Sequence, residues 1–319
     1  MPKLLPELQN FFDDLDLARL RVVRPSKFVF LCGGQTDNQS AHPLSLRDYI
    51  YRTKPIQNRL KADVVLAERA VQLYRDTHYS DLISFEEDIA VISSVVLLIA
   101  ESRGSLAELG AFSSNETIRK SLRVIVQQKY ASAESFIRYG PIERLMQAGQ
   151  RNFVGFYPWR VTHTGRFLKS SARLHYTEIR KFVAAHLAAV PASELYHLSA
   201  ERQPFFLIYW IIYLSLAIAS NDLYSCTQML RPEIKPEEIR NKLYCMELAG
   251  WINRTSYSGK DYFFVLHERD PFGYAFRAAA SDRDSARRKF LVAEAISKKQ
   301  DVPRHVKNSA REARRRSGS

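Results

Sequence analysis

Residues Ser94–Ala100 read SVVLLIA, and after the serine six consecutive side chains are apolar. A half-exposed strand alternates polar with apolar positions, so an unbroken run this short is expected to be a strand covered on both sheet faces. A polar turn containing Gly104 follows, and helical spacing resumes from Ser105. Ile89 to Phe112 therefore reads as a buried strand, a Gly/Ser turn and a helix start.

The same unit recurs upstream and downstream. Lys27–Cys32 is a short apolar run ending in Gly33-Gly34. Leu46 to Gln57 reads as a helix, Ala62–Ala67 as a second strand, and Val71 to Asp76 and Leu82 to Ser93 as helical. Ser121 to Gln128 contains a fourth strand, RVIVQ. Leu4 to Leu20 reads as a helix ended by Arg24-Pro25-Ser26. Alternation of strand and helix predicts an α/β, Rossmann-like parallel sheet with helices on both faces.

The second half differs. Gly155 to Leu198 reads as a mixed, mostly helical connector. Phe205–Ala219, FFLIYWIIYLSLAIA, is 15 residues long, short of the roughly 20 that cross a membrane, so a buried core helix is expected. Ser225 to Leu230 and Pro236 to Leu248 read as helices, the latter stopped by Gly250. Trp251–Arg254 and Tyr262–Val265 read as a hairpin around Ser258-Gly259-Lys260. Three helices and a hairpin make a winged helix-turn-helix. The expected division is residues 1–150 as the α/β domain, 151–200 as connector, 201–286 as winged helix and 287–319 as a basic tail.

Net charge is +13, and residues 287–319 hold 11 Lys and Arg against 3 Asp and Glu. Such a tail suits a polyanion, most often nucleic acid, or is simply a solvated terminus. With 46 % hydrophobic and 25 % charged residues, the chain reads as soluble and globular rather than disordered. Cys32, Cys226 and Cys245 are far apart and show no metal-ligand spacing, which fits a reducing cytoplasm. The amino-terminal stretch is acidic and amphipathic, unlike a signal peptide.

Chemistry concentrates at the strand ends, where open α/β sheets bind ligands. Gly33, Gly34 and Gly104 let backbone approach a ligand, and a helix start favours an anion. Glu101 ends the third strand and Glu108 follows in the helix. Cleaving an N-glycosidic bond builds positive charge on the sugar, which a carboxylate can stabilise or trap. Two plainer readings stand beside this. Ser105-Leu106-Ala107-Glu108 fits a capping box, in which the Glu only satisfies backbone donors. Glu101 fits an exposed charge at a strand end.

The string ESRGSLAELGAFSSNETIRKSL, with FLCGG upstream and SFIRYGP (Ser135–Pro141) downstream, resembles the effector proteins of bacterial retron defence systems. Those effectors join a nucleoside deoxyribosyltransferase-like domain to a winged-helix DNA-binding domain. The resemblance is carried by motifs over about Phe28 to Pro141 and by layout alone beyond. It implies a toxic antiphage enzyme that cleaves the N-glycosidic bond of a nucleotide, NAD first and purine nucleotides or deoxynucleotides next, without metal or other cofactor. Glu108 would face the anomeric carbon. Gly104 and Ser105, with Ser102 beside them, would hold phosphate or ribose, and Gly33 and Gly34 would floor the nucleotide site. Glu86 and Glu68 match acidic positions of the family, and Glu101 or Glu86 would supply the general acid. Two positions depart from the pattern: Ser93 and Ser94 stand where relatives carry an aspartate, and Arg103 where many carry proline.

The resemblance also implies a partner, a reverse transcriptase carrying its multicopy single-stranded DNA hybrid (msDNA). Assembly with that complex would restrain the effector until phage infection. In the winged helix, Arg240 and Lys242 would meet DNA from the helix 236–248, and Arg254 and Lys260 from the wing. The same fold also serves protein contacts. Tyr257 and Tyr262 suit base stacking or cross-strand packing. Other classes are a nucleotide-sensing, DNA-binding regulator without turnover and a transcription factor whose first domain is an assembly platform.

Overall fold

The computed structural model describes residues 5–53, 62–68, 79–148, 152–197, 202–299 and 302–317. The chain divides into two units. One, the sheet unit, comprises Lys27–Leu73 and Leu82–Val190, and the other comprises Met1–Ser26, Tyr74–Asp81 and Pro191–Ser319. In chain order the elements are α1 (Pro6–Asp13), β1 (Arg21–Val22), β2 (Phe28–Cys32), α2 (Leu46–Arg52), β3 (Asp63–Leu66), α3 (Leu82–Ile92), β4 (Val95–Ala100), α4 (Arg103–Ser114), α5 (Glu116–Ser121), β5 (Leu122–Gln127), α6 (Glu143–Ala148), β6 (Val154–Tyr157), α7 (Lys169–Arg173), α8 (Tyr176–Ala189), β7 (Glu194–Leu195), α9 (Gln203–Leu214), β8 (Ile218–Ala219), α10 (Ser220–Leu230), α11 (Pro236–Leu248), β9 (Ile252–Tyr257), β10 (Lys260–Val265), β11 (Phe272–Gly273), α12 (Ser285–Lys299) and α13 (Arg304–Ser317).

The sheet unit is α/β, as expected. Its five strands run in the order β3-β2-β4-β5-β6, and every pairing is parallel. From β2 the chain steps outward to β3 and then returns to the far side of β2 as β4. That reversal opens a crevice at the carboxyl ends of β2 and β4. Strand alternation sends Val29, Leu31, Val95, Leu97 and Ile99 into one core with Leu46, Tyr49 and Ile50 of α2 and Ile179 and Val183 of α8. Phe28, Phe30 and Cys32 take the opposite face, where Phe30 meets Phe85 of α3 edge-on with centroids 6.4 Å apart.

Two boundaries differ from the expected ones. Residues 151–200 are not a separate connector: β6 is the fifth strand of the sheet, and α8 packs into its core. Four residues, Val-Gly-Phe-Tyr, are too few to show strand periodicity. The amino-terminal helix does not belong to the sheet unit either. Phe11 of α1 packs edge-on against Trp210 of α9 at 5.2 Å, and Arg288 of α12 pairs with Asp14. An amphipathic pattern shows that a helix needs cover, not which part of the chain supplies it. The predicted helix at Val71–Asp76 lies outside the described residues, as does the predicted end of α2 beyond residue 53.

In the second unit the order α9, β8, α10, α11, β9, β10 is that of a winged helix, with its sheet ordered β8-β10-β9. The hairpin turns through Ser258 (φ 48°) and Gly259 (φ 73°), the two positive values a type I′ turn needs. Helix α9 is buried on every side. Its polar tips are satisfied: the Tyr209 hydroxyl donates to the His267 carbonyl and Trp210 Nε1 donates to the Tyr274 hydroxyl, each at 2.8 Å. Among the described residues, no helix is long and apolar enough to cross a membrane. The basic tail is folded as α12 and α13. Val306 and Ala310 of α13 are fully buried, in a cluster with Val302, Ala217, Tyr262 and Phe264. Tyr262 is thus a packing residue under α13 and not a surface for bases.

Candidate functional site

The crevice between β2 and β4 gathers its polar groups from five elements. Glu101 follows β4 directly. Its Oε2 accepts the Leu46 N–H at 2.7 Å, and its Oε1 accepts those of Arg47 at 2.9 Å and Gly34 at 3.3 Å. Leu46 and Arg47 open α2, whose N-cap is Ser45. The carboxylate therefore fills the donor-rich start of a helix and ties β4 to the β2 turn. Burial pushes its pKa up, while the three backbone donors pull it down. A group engaged this way is an anchor, which differs from the general-acid role expected for it.

The two glycines have the same explanation. A Cβ on Gly34 would stand 2.8 Å from Glu101 Oε1 and 2.9 Å from Ser45 Cβ. Gly33 has φ +144°, and its Cβ would stand 2.8 Å from the Ile99 carbonyl oxygen. Both are required by the approach of β4 to β2, within the protein itself. Gly104 is exposed and meets no such crowding.

The capping box is real but is built from other residues. Helix α4 has Ser102 as its N-cap, with Ser105 at the third position. Ser105 N–H donates to Ser102 Oγ at 3.1 Å, and Ser105 Oγ accepts the Ser102 N–H at 2.8 Å and the Glu101 N–H at 3.0 Å. Those hydroxyls, expected to hold ribose or phosphate, serve the helix start. Ser105 does what the glutamate of a standard box does. Glu108 lies in the second turn and has no capping partner. Its Oε2 is buried without a hydrogen bond.

Glu108 is not isolated electrically. Cys32, at the end of β2, is fully buried. Its thiol is pushed well up by burial, and the charges of Glu108 and Glu86 add to that. The carboxyl of Glu86, one residue beyond Phe85 on α3, is pushed up to about 8 by burial first and by Glu108 second. Burial also raises Glu108, with Arg47 opposing and Glu68 adding. Burial, and after it the charge on Glu108, thus holds a proton on Glu86. Glu86 keeps that proton at neutral pH and is coupled to Glu108, whose buried Oε2 has no hydrogen bond, a pairing of the kind acid–base catalysis uses.

Arg47 completes the cluster. Its guanidinium is 2 % exposed and forms a two-pronged ion pair with Glu68. It also donates to the carbonyls of Leu31 at 2.7 Å and Gly34 at 3.1 Å. Sequence reasoning passed over Arg47 and read Cys32 only for redox and metals. The available signal was a cation between Leu46 and Ile50, apolar positions of one predicted helix.

The state of Glu86 has a measurable consequence for stability. Its pKa is raised in the fold relative to the unfolded chain, so the fold keeps a proton that the unfolded chain releases between about 4.5 and 8. Stability is then greatest below that window and falls as pH rises through it. Glu86→Gln should flatten the decline of Tm between pH 5 and 8. An unchanged slope in a melting series across that range would mean that Glu86 is ionised in the fold.

The nucleic-acid candidates lie on α11 and the wing. Arg240 and Lys260 are exposed, and Lys242 Nζ sits 4.9 Å from the centroid of the Phe205 ring. Arg254 lies 3.4 Å from both Glu247 and Asp261. Helix α11 opens with Glu237 and Glu238 ahead of Arg240 and Lys242, so its first turn is acidic. Among the described residues, no group of three or more His, Cys, Asp or Glu has the placement to hold a metal ion.

Two known proteins are similar to this chain in sequence. In Escherichia coli, the Retron Ec86 putative ribosyltransferase/DNA-binding protein is 32 % identical over 127 residues. The Retron Ec73 putative ribosyltransferase/DNA-binding protein of the same organism is 30 % identical over 128 residues. Each alignment takes in 40 % of this chain, and the chain spans about two fifths of the length of these relatives. The family model for STM3845 retron effector protein matches residues 43–254, a stretch that includes Arg47, Glu68, Glu86, Glu101, Glu108 and α11. The chain belongs to the STM3845 retron effector family.

Proposed function

We propose that this chain is the toxic effector of a retron antiphage system and cleaves the N-glycosidic bond of a nucleotide. The observation that carries this reading is the buried, unpartnered Glu108 Oε2, coupled to Glu86, whose carboxyl is pushed up to about 8. The name carried by the two relatives, putative ribosyltransferase/DNA-binding protein, supports it. As the C1′–N bond breaks, its electron pair goes to the base nitrogen and positive charge develops on the ribosyl carbon. Glu108 Oε2 stabilises or traps that carbon, and Glu86 gives its proton to a base that needs one. Water or another acceptor then takes the ribosyl group.

NAD is the favoured substrate and purine nucleotides come next. The ribosyl–nicotinamide bond joins a cationic base, which suits an ionised Glu108. Nicotinamide leaves as a neutral molecule without protonation, whereas a purine leaves best protonated. Glu86→Gln therefore reads the leaving group. We expect purine release to fall by about 10²- to 10⁴-fold and nicotinamide release to change far less. With a protonated Glu86 required, purine release also declines above about pH 8, and that limb disappears in Glu86→Gln.

The test is base release measured chromatographically from NAD and a purine nucleotide panel. The chain is assayed alone and with the reverse transcriptase–msDNA complex, which on this reading holds it in check. Tight nucleotide binding with no release in either state would replace the enzyme by a nucleotide-sensing regulator.

A further inference from the structure

Helix α13 lies beyond residue 254, where the family match ends. Its apolar residues Val306 and Ala310 seat it on the outer face of the wing sheet, against Tyr262 and Phe264. Ala313 is partly buried in the same cluster. The Arg314 guanidinium donates to the Ser215 carbonyl at 2.7 Å. Flanking that contact, α13 carries Arg304, Lys307, Arg311 and Arg315.

The spacings of three, four and four residues keep these cations on one stripe. At 1.5 Å per residue the stripe is about 16 Å long. Arg304, Arg311 and Arg315 are exposed and Lys307 is partly so. Among the described residues, no carboxylate forms an ion pair with any of the four. The contrast with α11 and the wing is direct: Arg254 sits between Glu247 and Asp261, and α11 opens with Glu237 and Glu238. At the carboxyl end of the stripe, Arg311, Arg314 and Arg315 line a concavity of about 210 Å³ with Leu216 and Glu268.

We propose that α13, mounted on the wing sheet, is the surface that binds the phosphodiester backbone of duplex DNA, in place of the acidic-fronted α11. This rests on the nucleic-acid-binding part of the reading above and moves its location. Regular spacing on a rigid helix matches the regular phosphates of a duplex. A single-strand site adds several aromatic platforms for the bases, whereas the four cations have beside them the Tyr257–His305 pair at the start of α13. Backbone contacts of this kind confer affinity without sequence preference.

The experiment is a salt titration of full-length chain binding to a labelled DNA duplex and, separately, to a single strand of the same sequence. Four phosphate contacts contribute about −3.6 to the slope of log K against log[salt]. Between 50 and 200 mM salt that amounts to about a 150-fold loss of affinity. Arg304→Ala/Lys307→Ala/Arg311→Ala/Arg315→Ala should remove it, and Arg240→Ala/Lys242→Ala/Arg254→Ala/Lys260→Ala should leave most of it. If the first set disturbs folding by circular dichroism, Arg304→Ala and Arg311→Ala alone should each reduce the slope by about 0.9. An unchanged slope in the α13 variants, with duplex binding intact, overturns the proposal, as does preference for the single strand. Failure of the unmutated chain to bind DNA at all counts instead against the nucleic-acid reading on which it rests.

Discussion

Glu108→Gln should lower base release by on the order of 10³-fold or more, the scale seen when a group acting directly on the reacting carbon is removed. The amide has the same shape but cannot carry the negative charge that the ribosyl cation needs. Substrate binding should change far less than turnover, because the charge is required mainly once the bond has begun to break.

The same substitution separates catalysis from structure. Had Glu108 been the third residue of a capping box, losing its carboxylate would cost roughly 0.5–2 kcal/mol of helix stability. Ser102 and Ser105 make that box instead, so α4 should stay formed. Burial raises the Glu108 pKa, which means that the ionised form opposes folding near neutral pH. The variant should melt at the same temperature as the parent or slightly above it. Activity retained to within tenfold would remove Glu108 from the chemistry. A lost helix with lost activity would restore the capping role.

The extent to which all this can be read from residues alone varies by element. Strand β4 was legible because burial on both faces demands an unbroken apolar run, and α11 because Pro236 and Gly250 mark its ends. The wing strand Tyr262–Val265 was legible as a strand, but the reason for its apolar character was not. Both its faces are covered, one of them by α13, and the charge of residues 304–316 hid the Val306–Ala310 seam. Acidic candidates were found because carboxylates at strand ends are few. Their division of labour was hidden in distances that no spacing encodes. Glu101 accepts hydrogen bonds from residues 54, 55 and 67 positions away in the chain. Only the fold distinguishes a carboxylate saturated by backbone donors from one with an unpartnered buried oxygen.

Arg47 is where those long-range contacts converge, and Arg47→Met should be the most destabilising change in the cluster. Methionine keeps the apolar stem but strands the buried carbonyls of Leu31 and Gly34 and releases Glu68. Breaking a buried ion pair costs about 3–5 kcal/mol. Glu68 is 48 % exposed and regains water, which reduces the expected loss to about 2–4 kcal/mol. For a unit of this size that lowers Tm by roughly 5–15 °C. Glu68→Gln should cost less, since Arg47 keeps both carbonyls. The effect on activity has its own signature. Arg47 is the cation that holds the Glu108 pKa down against burial. Without it Glu108 binds its proton more tightly, so the acid limb of kcat/KM should move to higher pH even at temperatures where the variant is fully folded. A merely structural arginine would lower Tm and leave that limb in place. A shift of the limb would identify Arg47 as the positioning residue that holds the Glu108 pKa down against burial.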